Sequence, residues 1–108
     1  MPARDIVVGL SDNPLSQDEL EELLLDVEST VRDHIRKVAG RRVDELDIIV
    51  LGDLLDGGTR LRVLVDVRVV GRHIAPLSYD ELLAEAIDAA SRKLHELLRA
   101  RREGKSVQ

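Results

Sequence analysis

The stretches "VVGLSDNPLSQDEL" (residues 7–20) and "VVGRHIAPLSYDEL" (residues 69–82) repeat V-V-G, P-L-S and D-E-L in register, and Asp26 with Asp88 and Ser29 with Ser91 extend the match. In each copy a serine is followed three residues later by a glutamate, the capping-box pattern that satisfies orphan amides at a helix start. Leu15 with Leu20, and Leu77 with Leu82, are placed to form the hydrophobic staple around the cap. Two capped helices, each preceded by a V-V-G strand end, are therefore predicted from one repeated block. The repeat reads as helix-start physics rather than as a ligand motif, although helix starts alone do not require V-V-G at the same distance, and duplication of a strand-helix unit is the alternative reading.

The first helix is expected over residues 17–39. Leu20, Leu23, Leu24, Val27, Val31, Ile35 and Val38 recur at three- and four-residue spacing, and Gly40 follows as a stop. Asp18, Glu19, Glu21 and Glu22 complement the dipole at its start, and Arg36 and Lys37 at its end. In the second helix Leu83, Ala86, Ile87, Ala90, Leu94, Leu97 and Leu98 form the apolar stripe. Ala84, Ala86, Ala89, Ala90 and Ser91 make its middle narrow enough for close approach to another element.

Between the helices, "LDIIVL" (residues 46–51) and "RLRVLVDVRVV" (residues 60–70) have strand composition. The second alternates, with Leu61, Val63, Val65, Val67 and Val69 on one side and Arg60, Arg62, Asp66 and Arg68 on the other. "DGG" (residues 56–58) supplies a hairpin turn. Centred there, the register sets Asp47 near Arg68 and Asp53 near Arg62, and gathers Ile49, Leu51 and Leu64 on the outer face. A short strand over residues 5–10 completes the order β-α-β-β-α. The expectation is an α+β domain: a small, mainly antiparallel three-stranded sheet with the long third strand central and both helices on one face. Residues 1–100 are expected to form this single domain and residues 101–108 a basic, flexible tail.

Composition narrows the function. With Tyr79 the lone aromatic, stacking platforms for single-stranded nucleic acid are missing. No cysteine is present, so thiolate metal sites and disulfides are excluded. The net charge of −5 argues against generic polyanion binding. Few side-chain amides and 34% charged residues fit a thermophilic source. No membrane span and no signal peptide are read, so a cytoplasmic protein is expected.

His34, His73 and His95 are isolated, with no zinc-binding or nucleophile-elbow spacing around them, and are read as surface or structural residues. "DLLDGG" lacks the alternating oxygens of a calcium loop. There is no Walker loop, dinucleotide fingerprint or KH-type G-x-x-G loop. No catalytic residue, metal ligand or cofactor is expected. Two association signals remain. Ile49, Leu51 and Leu64 form a charge-rimmed apolar patch, and an exposed strand edge could extend the sheet across a dimer axis. The basic run at Arg99, Arg101, Arg102 and Lys105 is an alternative surface for salt-sensitive RNA contact.

The segments "LSQDELEELLLDVESTVRDHIRKV", "VDELDIIVLGDLLDGGTRLRVLVDVRV" and "LSYDELLAEAIDAASRKLHELL" resemble a family of small uncharacterised archaeal proteins often encoded near the prefoldin beta subunit. The element order, with "RLRVLVDVRVVGRHIAPLSYDELLAEAIDAASRKLHELL", also resembles the small dimerising subunit of the KEOPS tRNA-modification complex and its archaeal paralogue. That resemblance implies a non-catalytic accessory subunit that forms homo- or heterodimers, docks other KEOPS subunits through helices and meets tRNA only indirectly. The interface residues expected here are Ile49, Leu51 and Leu64 on the sheet and Ala86 and Ala90 on an exposed edge of the second helix.

Overall fold

The computed structural model describes residues 3–10, 14–72 and 78–102. The chain runs β1 (Ala3–Gly9), α1 (Gln17–Ala39), β2 (Val43–Leu55), β3 (Arg60–Gly71) and α2 (Tyr79–Arg102), with single 3-10 turns at Gly40–Arg42 and Asp56–Gly58. The sheet is antiparallel throughout, in the order β1-β3-β2, so the long third strand is central as expected. Both helices cover one face, giving the α+β architecture.

Each helix starts as its cap dictates. The Ser16 hydroxyl accepts from the Glu19 amide at 3.2 Å, and the Glu19 carboxylate accepts from the Ser16 amide at 3.0 Å. Ser78 and Glu81 repeat the exchange at 3.1 and 3.4 Å at the start of α2. Leu15 and Leu20 are both buried, as a staple requires, while Leu77 and Pro76 lie outside the described residues. α1 ends at Gly40, whose φ of 56° suits a residue without Cβ.

The core is one continuous cluster. Val27, Val31 and Ile35 of α1, Leu61, Val63, Val65 and Val67 of β3, and Leu82, Ala86, Ile87, Ala90 and Leu94 of α2 are all fully or almost fully buried. Each large aliphatic there contributes about 1.5–3 kcal/mol through removal of its surface from water. α1 approaches β2 at Gly52, where an added Cβ would stand 3.0–3.2 Å from methyl groups of Leu24 and Leu20. A methyl at that position meets only side-chain ends, whereas a larger side chain would crowd the helix against the strand.

Three expectations are corrected. β2 extends over 13 residues, well beyond 46–51, because β3 offers a ladder partner along almost all of it and Arg68 and Arg62 stand opposite its acids Asp47 and Asp53. α2 continues through Arg102, so residues 101 and 102 belong to the helix rather than to a tail. Ala86 and Ala90 are 0% exposed: the narrow middle of α2 is consumed by packing inside the chain and offers no docking edge.

Candidate functional site

The hairpin turn sets the outer face of the sheet. Leu55 and Arg60 are the last partners before the turn, and counting back from them sets Asp53 opposite Arg62, Leu51 opposite Leu64, Ile49 opposite Asp66 and Asp47 opposite Arg68. On the other side of β3, Asp5 of β1 stands opposite Leu64 and Val7 opposite Arg62. Leu64 thus lies between Asp5 and Leu51 in one cross-strand row, and the expected trio of Ile49, Leu51 and Leu64 is brought together. Ile49 and Leu51 are about half exposed, and Leu64, on the central strand, is partly buried by its neighbours. Val7 and Val70, which the sequence reading did not include, are also exposed outer-face aliphatics.

Charges flank this apolar strip. Arg62 donates to the Asp5 carboxylate at 3.2 Å, crossing to β1 rather than to its β2 neighbour Asp53. Arg60 holds Asp56 at 2.6 Å at the turn. These solvent-exposed pairs add little stability, about 0–1 kcal/mol each, but they fix where the charged rim sits.

The basic residues fare differently from their expected role. Arg99 is exposed on the last turns of α2. Arg101 instead donates from Nε to Glu19 Oε2 at 2.6 Å and from Nη2 to Glu19 Oε1 at 3.0 Å, and also reaches the Pro14 carbonyl at 2.6 Å. Bonding to Arg101, helped by the Ser16 amide, lowers the Glu19 pKa from 4.5 to about 2. Arg101 therefore fastens the end of α2 to the start of α1. The Arg102 side chain and Lys105 lie outside what the structure describes.

Of the histidines, His34 sits between the helices with Nε2 3.6 Å from Glu85 Oε1, too far for a hydrogen bond, and that nitrogen is buried without a partner. His95 Nδ1 lies 2.7 Å from the Ser91 carbonyl of its own helix. His73 is outside the described residues. Among the described residues no group of three or more His, Asp or Glu side chains is placed to hold a metal ion, and no helix is long and apolar enough to cross a membrane. The lone aromatic has a structural post: the Tyr79 hydroxyl donates to the Arg72 carbonyl at 2.6 Å, against the end of β3.

No family model matches the sequence, and no curated protein does. Solved structures do share the fold. A crystal structure from Thermococcus onnurineus NA1 superposes with a TM-score of 0.71 at 20% identity, over 95% of this chain and 96% of that one. The solution structure of the hypothetical protein mth677 from Methanothermobacter thermautotrophicus gives a TM-score of 0.65 at 26% identity, over 80% of this chain and 91% of that one. Both similar structures are of archaeal proteins, the second described as hypothetical.

Proposed function

We propose that this chain is a non-catalytic, dimer-forming accessory subunit that docks a partner protein through the outer face of its sheet. The observation that carries the reading is the row formed by Leu51 and Leu64, joined by half-exposed Ile49 and rimmed by charged side chains. A contiguous apolar strip inside a polar rim has the anatomy of a protein interface. It stands on the face away from the helices, where the fold itself supplies no cover.

The KEOPS complex is the assembly to test first, because the long strand feeding a small-residue helix at residues 60–98 resembles its small dimerising subunit. With Ala86 and Ala90 buried, the reading rests on the sheet residues Ile49, Leu51 and Leu64. Affinity purification of the tagged chain from its native host, with mass spectrometry, is expected to recover KEOPS subunits from the native sequence and to lose them from Leu64→Asp. Recovery of no KEOPS subunit overturns that assignment. Equal recovery by the folded Leu64→Asp chain overturns the outer-face docking.

A further inference from the structure

β1 and β2 are the two edges of the sheet, and they differ in length and in charge. β1 has seven residues, and its Arg4 and Asp5 are already paired with Asp88 of α2 and Arg62 of β3. β2 has 13 residues with no Lys, Arg or Pro among them, and no strand lies along its other side. An edge of that length without a proline is a template for one more strand.

The register shows what such a strand would meet. Glu45, Asp47, Ile49, Leu51 and Asp53 stand opposite the outer-face row of β3 and therefore share the outer face. All five are exposed, as is Asp44 at the irregularity before Glu45. Among the described residues none of these four acids forms an ion pair. Arg62, opposite Asp53, bonds Asp5 instead, and Arg68, opposite Asp47, is exposed and makes no ion pair with it. On the helical side, Leu24 of α1 lies over Gly52, while His34 lies beside Glu85 of α2. A rotation of about 100° per residue carries the exposed Leu25 beyond Leu24, away from α2 and toward the open side of β2. Glu21, one turn earlier on that flank, adds another exposed acid.

We propose that the β2 edge takes up an extended segment of the partner protein as a fourth, antiparallel strand, and that this segment alternates basic and aliphatic side chains on its outer face. Opposed residues in an antiparallel pair share a face, and opposite charges set across from each other stabilise the pair. The row from Asp53 back to Glu45 thus selects a basic residue, two aliphatic ones and two basic ones, at every second position from the segment's amino end. A second copy of this chain fits less well: the two-fold that pairs the whole strand is centred on Ile49 and sets Glu45 against Asp53. Polyanions are repelled by the same acids. This inference rests on the reading above for the existence of a docked protein and adds the chemistry of the segment that docks.

The probe is the peptide K-V-V-T-I-T-K-T-K. Its lysines face Asp53, Asp47 and Glu45, its third and fifth residues face Leu51 and Ile49, and its second comes under Leu25. One comparison peptide carries glutamate for each lysine. Another is N-methylated at its fourth and fifth residues, which keeps every side chain and removes amide donors on both sides of the strand. The isotope-labelled full chain is titrated with each and followed through its NMR amide shifts. Saturable binding of the lysine peptide is expected, with shifts concentrated at residues 45–53 and not in β1. Both comparison peptides should bind at least about ten-fold more weakly, and Asp47→Asn with Asp53→Asn should weaken the lysine peptide several-fold. Leu64→Asp should keep the peptide while losing the partner protein. The proposal is overturned by no saturable binding up to about 1 mM peptide, by equal binding of either comparison peptide, or by shifts centred on β1. Any of these leaves outer-face docking standing if Leu64→Asp still loses the partner. Selective peptide binding with undiminished partner recovery by Leu64→Asp removes the outer-face reading and keeps the edge.

Discussion

Arg101 donates two hydrogen bonds to the Glu19 carboxylate, joining positions 82 residues apart and closing the end of α2 onto the start of α1. Both side chains keep contact with water, which screens the pair, so Arg101→Ala is expected to cost about 1 kcal/mol at neutral pH. Because folding depresses the Glu19 pKa from 4.5 to about 2, this contribution is complete above pH 4.5 and is lost as pH falls toward 2. Denaturant melts of the two chains should differ at pH 7 and converge near pH 2. Arg101→Lys should recover only part of the difference, since a lysine cannot make the paired contact.

Gly52 faces α1, with the side-chain ends of Leu24 and Leu20 close above it. A methyl group there meets only the movable ends of Leu24 and Leu20, so Gly52→Ala is expected to change stability by less than about 0.5 kcal/mol. Gly52→Val demands more room and should cost about 1–3 kcal/mol through overpacking. Urea unfolding of the pair measures the difference.

A tighter constraint operates at Gly71, where an added Cβ would collide with the Arg42 backbone carbonyl and the Tyr79 hydroxyl. That carbonyl belongs to the 3-10 turn before β2 and is held by the Arg72 amide at 2.7 Å, so it cannot easily step aside and Gly71→Ala is expected to cost about 3 kcal/mol. Tyr79→Phe removes the short hydrogen bond to the Arg72 carbonyl and the long one, 3.4 Å, to the Arg42 carbonyl, and should cost about 1 kcal/mol. Thermal melts that rank the two variants in the opposite order would show that the glycine's lack of a side chain is not what matters there.

Burial of His34 Nε2 without a partner is an energetic cost in the native state. His34→Leu removes that polar atom and fills the same space between α1 and α2, so it is expected to be neutral or to stabilise by up to about 1 kcal/mol. A loss of stability would mean that the imidazole has a favourable contact with Glu85 in solution.

Much of this architecture was legible residue by residue. Ser16, Glu19, Ser78 and Glu81 mark helix starts through chemistry local to four residues, and Gly40 marks a stop through its own backbone. The turn at Asp56–Gly58 determines the hairpin register, which is why Asp47 with Arg68 and Leu51 with Leu64 could be paired in advance. The rest depends on three-dimensional neighbours. Ala86 and Ala90 are small, and smallness alone suits a core contact as well as an exposed groove. Arg101 sits in a basic run that reads as a soluble helix end, and only antiparallel helices bring the acid of the first turn beside it. That adjacency follows from the central position of β3. Pairing Glu19 with the far end of the second helix could have been anticipated from the strand order.

The same strand order determines how the chain assembles in time. β2 and β3 are joined by a short turn and can pair as soon as the turn forms, whereas β1 must return to β3 from the other end of α1. Loop closure over such a span is slow compared with hairpin formation. A nascent molecule therefore carries a finished hairpin with both sides of its sheet open before β1 arrives. The final docking of seven residues closes one side, and the other stays open into the folded state.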